Sequence, residues 1–238
     1  MKVKVIIPAR LKSTRLSNKL LRVISGKTII QHVCERATRI QCDDLIVASD
    51  SRKITDIVNQ MQINTYLSKK KFNNGTERIA HLCNEKNFKD SDVIINLQAD
   101  ELNFPIHAIN KIINLFNSNN KINVATVVTK NTNKKDYFNK DIVKVVMDND
   151  SNSIYFSREP IPHNYSKYFY SHIGIYAYKV SALHSYTKFK QSLQEKCESL
   201  EQLRFLCNGI SIKCVLIKQN KSISINSNND LKLARKLF

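Results

Sequence analysis

The chain has 238 residues, enough for one sizeable α/β domain with an added lobe, and 42% are hydrophobic, which excludes a disordered chain. No apolar run approaches membrane-spanning length, no secretory h-region is expected, and six cysteines without a CxxC pair or metal-ligand spacing point to free thiols in the cytoplasm. The formal charge of +18 invites a nucleic-acid partner, but the 38 basic residues are scattered and the longest run is Lys69-Lys70-Lys71, so a diffusely basic surface is expected, with no nucleic acid or membrane bound.

Along the chain, "VKVIIP" reads as a strand buried on both faces. The loop Arg10–Lys19 follows it, and then "TIIQHVCERATRI" at helical spacing. "DLIVASD" is a second strand, and "SRKITDIVNQM" a helix opened by Ser51 or Asp50. "INTYL" is a short strand, followed by the loop "SKKKFNNG" and a helix from Thr76. "DVIINLQAD" is a strand ending in carboxylates, and Pro105 starts the helix "PIHAINKIINLF". Strands separated by single helices predict right-handed βαβ units and a mostly parallel sheet, with ligands at the carboxyl ends of its strands.

The second half changes character. "INVATVVT", "IVKVVMD", "SIYFS" and "HIGIYAYK" read as strands of an antiparallel or mixed extension, and the segment 158–171, rich in Pro and Tyr, as an arm at a subunit interface. "SLEQLRFLC" is predicted as a helix, "ISIKCVLI" as a strand and "NDLKLARKLF" as a closing amphipathic helix. No repeat or linker divides the chain. The expectation is one domain over 1–238, with a core near 1–130 and 210–238 and an added lobe near 131–209.

Chemistry gathers at two strand ends. Arg10, Ser13, Thr14, Arg15 and Lys19 offer amides, hydroxyls and cations to phosphate oxygens, without the spacing of a Walker A or GxGxxG loop. On residues alone, a solvated basic loop fits as well. In "NLQADE", Asp100 and Glu101 could supply oxygens to a hard cation such as Mg²⁺, which takes one or two carboxylates plus substrate phosphates. An aspartate that merely caps the next helix is the alternative.

Taken in order, "IIPARLKSTRLSNKLL", "GTERIA", "VIINLQADE", "VKVVMD", "IYFSREPIP", "HIGIYAY" and "LEQLR" resemble the 3-deoxy-manno-octulosonate (Kdo) cytidylyltransferases, the CMP-Kdo synthetases of lipopolysaccharide assembly. The resemblance implies a Rossmann-like, three-layer nucleotide-diphospho-sugar transferase fold, with a mostly parallel or mixed sheet and a smaller β-rich lobe. It also implies a Mg²⁺-dependent homodimer converting CTP and Kdo to CMP-Kdo and pyrophosphate. By similarity, Arg10, Ser13, Arg15 and Lys19 hold the triphosphate, and Gly75 and Arg78 lie near base and ribose. Lys19, Gln98 and Asp100 form the catalytic centre, with Asp100 on the metal. Arg158, His172, Tyr176, Glu201 and Gln202, with Gln98, are the sugar candidates. Tyr176 could equally be core packing and His172 a satisfied histidine, and without the resemblance Glu201 and Gln202 read as a helix's wet face.

Three departures stand out. The family's Leu-Pro-Gly-Lys-Pro is here Leu16-Ser17-Asn18-Lys19-Leu20, and Asn is the least costly replacement where Gly has positive φ. Gln-Gly-Asp-Glu-Pro is here Gln98-Ala99-Asp100-Glu101-Leu102, a strained choice if Ala99 were left-handed. The family's second metal-binding aspartate falls on Asn226, whose amide oxygen lacks the charge that favours a divalent ion, which predicts weakened Mg²⁺ affinity. Two alternatives stay open: a cytidylyltransferase for a modified Kdo or another acidic sugar, and an impaired relative that binds nucleotide or RNA.

Overall fold

The structure is a computed structural model that describes residues 1–13, 16–220 and 222–238. The first strand, β1 (Val3–Ala9), sets the layering, because alternate residues of a strand face opposite sides. Val5, Ile7 and Ala9 enter one apolar cluster, and Ile6 enters the other. A short 3₁₀ turn (Lys19–Leu21) and the ribbon β2 (Val23–Ile24) and β3 (Lys27–Thr28) lead into α1 (Ile29–Ala37). There Thr28 and Gln31 form a reciprocal capping box. Then come β4 (Asp44–Ser49), α2 (Arg52–Asn59), β5 (Asn64–Leu67), α3 (Gly75–Glu85) and β6 (Val93–Asn96). β1 pairs in parallel with both β4 and β6, and β4 with β5, as the alternation of strands and helices predicts.

After β7 (Glu101–Leu102) and α4 (Ile106–Ser118) the chain runs through β8 (Val124–Asn131), α5 (Lys134–Phe138), β9 (Lys144–Met147) and β10 (Ser153–Ser157). The long β11 (Phe169–Lys179) is followed by α6 (Val180–Lys188), α7 (Leu193–Glu198), α8 (Leu203–Cys207), β12 (Ile212–Ile217), β13 (Ile223–Ser224) and α9 (Asn228–Leu237). Among the described residues, nine strands form the main sheet. β11 is antiparallel to β8, β6 and β9, and β12 runs parallel to β8, so the sheet is mixed, with the β9–β10 hairpin as a smaller antiparallel lobe.

β11 is where this sheet forks. Tyr176 pairs with Thr126 of β8 on one edge and Asn96 of β6 on the other, while Tyr170 pairs with Lys130 of β8 and Val145 of β9. β6 and β9 therefore follow one another along the same edge, with His172–Ile175 between them and a register shift after Ile173. That interval opens into the principal cleft.

Two expectations change. "SLEQLRFLC" is not one helix: Ser199 adopts a left-handed conformation (φ 53°) between α7 and α8, so Glu201 and Gln202 lie on the turn that enters α8. The strand expected over 92–100 stops at Asn96, and Leu97–Asp100 form the turn that carries the carboxylates.

Candidate active site

A cleft of about 890 Å³ opens at the carboxyl ends of β1 and β6 and runs to the β9–β11 fork. Arg10, Ser13, Lys19, Gly75, Arg78, Gln98, Asp100, Arg158, His172, Tyr176, Glu201, Gln202 and Asn226 all line it. Arg15 lies outside the described residues.

Local backbone explains how Lys19 arrives. Leu16 and Leu20 are buried anchors on either side of residues 17–19, and Asn18 takes the left-handed conformation (φ 49°, ψ 38°) that turns the chain into the 3₁₀ segment. Asparagine is the residue that enters this region at least cost after glycine. Ala99, by contrast, is absent from the positive-φ positions, so alanine there carries no left-handed strain. Asp50, at the end of β4, holds the start of the loop: its Oδ1 accepts from the Leu11 amide at 2.9 Å, and its Oδ2 is 3.6 Å from Arg78. It was read from the sequence only as a helix cap, although its place on the same sheet edge was the available signal.

Lys19 Nζ pairs with Asp100 Oδ2 and lies 3.5 Å from Asn226 Oδ1. Residues 81 and 207 positions away are thus drawn to one ammonium. Two short strands account for it. β13 pairs antiparallel with β7, Ser224 opposite Glu101, and the Ile225 amide donates to the Asp100 carbonyl at 3.0 Å, which places Asn226 beside Asp100. Asp230 does not join them. Its Oδ2 accepts from the amides of Asn226 (2.9 Å) and Ser227 (2.7 Å) and closes a capping box at the start of α9. Burial raises the Glu101 carboxyl above its ordinary range against hydrogen bonds from Ser222 and Ser224.

Whether these donors suit a divalent ion is tested by what they already hold. An ammonium cation sits between the Asp100 carboxylate and the Asn226 amide oxygen, so the two point their lone pairs at one cationic position. One carboxylate, one amide oxygen and the phosphates of a nucleotide make an oxygen set that Mg²⁺ accepts, with less negative charge than two aspartates would give. Among the described residues no group of three or more His, Cys, Asp or Glu side chains forms a self-sufficient metal site. Such an ion would therefore need the substrate's oxygens.

Gln98 stands at the fork. A Cβ on Gly174 would overlap its amide group, so glycine in β11 is what allows the side chain to lie there. On the far side, Thr126 Oγ1 donates to the Ile175 carbonyl (2.8 Å) and meets His172 Nε2 at 2.9 Å. Because the hydroxyl hydrogen is committed, His172 must donate from Nε2, leaving Nδ1 as an acceptor. Burial pushes the His172 pKa down to about 3, so the ring is neutral at pH 7. Tyr176 stacks on Tyr178 at 5.6 Å, and Tyr178 on Phe205, forming a rigid aromatic floor.

Glu201 Oε2 accepts from Thr76 Oγ1 at 2.8 Å and from the Thr76 amide at the start of α3. Burial raises its carboxyl pKa against those hydrogen bonds. Gln202 Nε2 and Arg78 Nη1 are buried without a hydrogen-bond partner among the described residues, and both residues face the cleft, as groups awaiting a ligand do. Arg158 differs from the other sugar candidates. Its Nε donates to the Glu198 carbonyl (2.9 Å) and its Nη1 to the Lys140 carbonyl (3.1 Å), so much of the guanidinium serves the cleft wall itself.

This geometry can be set against known proteins. The family model described as Cytidylyltransferase matches residues 4–214. The chain belongs to the cytidylyltransferase family. Within it, this cytidylyltransferase is 39% identical to the 3-deoxy-manno-octulosonate cytidylyltransferase of Francisella tularensis subsp. holarctica, covering 99% of this chain and 98% of that one. It is 35% identical to the enzyme of the same name from Alcanivorax borkumensis over 87% of each chain. Among solved structures, the cytidylyltransferase chain superposes on a CMP:2-keto-3-deoxy-manno-octonic acid synthetase complexed with CTP with a TM-score of 0.93 at 30% identity, covering 100% and 98% of the two.

Proposed function

We propose that this cytidylyltransferase activates Kdo with CTP, giving CMP-Kdo and pyrophosphate for lipopolysaccharide assembly. The observation that carries this is the convergence of Lys19, Asp100 and Asn226 in one cleft with the polar wall of β11 and α8. A phosphate end and a hydroxyl-recognising end face each other across Gln98, as transfer between two polar substrates requires. Support also comes from relatives and a structural neighbour that are named for Kdo, CMP or CTP.

In this account Arg10, Ser13 and Lys19 hold the triphosphate, together with Arg15. Gly75 and Arg78 lie toward base and ribose, Arg78 close to Asp50 and Phe72. The anomeric hydroxyl of Kdo, bound against His172, Tyr176, Glu201, Gln202 and the Arg158 wall, attacks the α-phosphorus in line as pyrophosphate leaves. Lys19 swings from Asp100 to the phosphates and neutralises charge on the leaving group, so positioning and electrostatics supply the catalysis. Gln98 orients the two reacting groups. Mg²⁺, held by Asp100 and Asn226 with phosphate oxygens, would add electrostatic stabilisation of the phosphates. We read the 131–209 segment as the lobe that carries sugar recognition, and the protein as a cytoplasmic homodimer.

A pyrophosphate-release assay with CTP and a panel of acidic sugars tests the assignment. Release with Kdo, and little with sialic acid or neutral sugars, is the expected result. Release only with another acidic sugar would move the substrate, and no release with any would overturn the function.

A further inference from the structure

Behind the sugar-side wall lies a lysine that the reaction does not use. Lys144 opens β9 and is entirely buried (0% exposed). Its Nζ donates to the Asn139 carbonyl at 2.7 Å and to the Arg158 carbonyl at 2.6 Å, and it has no carboxylate partner within ion-pair distance among the described residues. Burying an ammonium against neutral carbonyls is costly, and the pKa of Lys144 is accordingly lowered, chiefly by burial. A methionine would fill similar space without that cost, so the charge calls for a reason in what it joins.

The joined pieces are the two walls of the fork. The carbonyl of Asn139 precedes Asp141, Ile142 and Val143, which line the cleft. The Val143 carbonyl in turn accepts from the His172 amide at 2.9 Å. Arg158 closes the same knot from the other side, its Nη1 reaching the Lys140 carbonyl while its own amide donates to Glu198 Oε2 at 2.8 Å. Among the described residues no ladder bond ties segment 139–141 to segment 157–159; the register of β9 with β10 runs only from Lys144 to Met147. The buried Lys144 ammonium and the Arg158 guanidinium do that instead, with the exposed Lys140–Glu159 ion pair (2.6 Å) outside them.

We propose that Lys144 is a positioning residue for the acidic-sugar subsite: it fixes the separation of segments 139–143 and 157–159, and through Val143 the seat of His172. This rests on the assignment of that wall to the sugar. Lys144 touches neither substrate, so its loss should be felt by one of them only.

The test is steady-state kinetics of Lys144→Met, with CTP and the sugar varied separately. The expected result is a KM for the sugar raised about tenfold or more, a KM for CTP within about twofold of wild type, and kcat lowered less than the sugar KM rises. An unchanged sugar KM, or equal losses for both substrates, would overturn the role. Should K144M fail to fold, Lys144→Gln, whose amide keeps a donor for one of the two carbonyls, should show a smaller sugar-only change, and a sugar KM within twofold of wild type in it would overturn the proposal. Wild-type turnover of CTP and Kdo in the same plate separates the two ideas. If Kdo does not react, the functional assignment fails, and the positioning role is read with whichever acidic sugar does.

Discussion

At the scale of single residues, three side chains decide how the cleft works. Asn226 supplies an amide oxygen to the proposed metal position where the resemblance implies a carboxylate, so Asn226→Asp should lower the Mg²⁺ concentration for half-maximal rate by about tenfold, the scale of one added charge at a hard-ion site. Rates measured across Mg²⁺ concentrations would check this, and superimposable curves would contradict it. Lys19→Met should cost at least ~100-fold in kcat/KM, because it removes the cation proposed to meet the transferring phosphates. His172 carries a pH signature. Burial pushes its pKa from 6.5 to about 3. The unfolded chain therefore takes up a proton near pH 6.5 that the folded chain refuses until near pH 3. Stability thus falls as pH drops through that window, by about 2 kcal/mol between pH 6.5 and 5. Urea midpoints at the two pH values should show the loss, and His172→Gln should flatten it; parallel slopes would refute the assignment. Asn18 was legible in the sequence, since a left-handed loop position selects residue types. The tautomer of His172 and the engagement of Arg158 by carbonyls were not, because both depend on partners tens of residues away.

At the scale of elements, the strands of the first half follow from their apolar runs and intervening helices, and their parallel pairing from chain direction. The ribbon of β7 and β13 was invisible, since two residues per strand carry no periodicity, yet it is what brings Asn226 to Asp100. The break at Ser199 was missed for a similar reason: one left-handed residue outweighs an otherwise helical pattern, and it turns Glu201 and Gln202 into the cleft. The fork of β11 yields a separate expectation. A Cβ at Gly174 meets the flexible end of Gln98, which can move without disturbing the backbone. Gly174→Ala should therefore leave the melting temperature within about 3 °C while cutting kcat/KM at least tenfold, through displaced Gln98. Circular dichroism melts and kinetics on one preparation would check the pair. A variant with full activity would show that Gln98 has no part in the reaction.

At the scale of the whole molecule, two apolar clusters on either side of one mixed sheet hold the cleft's walls at fixed distance. That layering was legible from composition and alternation, while the mixed sheet's branching at β11 was not, because it depends on which edges meet in space. No helix among the described residues is long and apolar enough to cross a membrane. The proposed homodimer belongs to this scale. Ile154 on the outer strand β10 is 59% exposed, and sedimentation velocity at micromolar concentration should show a dimer that Ile154→Lys weakens. A monomer in the wild type would end that part of the account.

Mass spectrometry of the product formed from CTP and Kdo tests the central claim most directly. The account predicts a new species at the mass of CMP-Kdo, formed in step with pyrophosphate by the wild type and lost in Lys19→Met. Recovery of unreacted sugar beside intact CTP, or hydrolysis of CTP with no sugar conjugate, would contradict it.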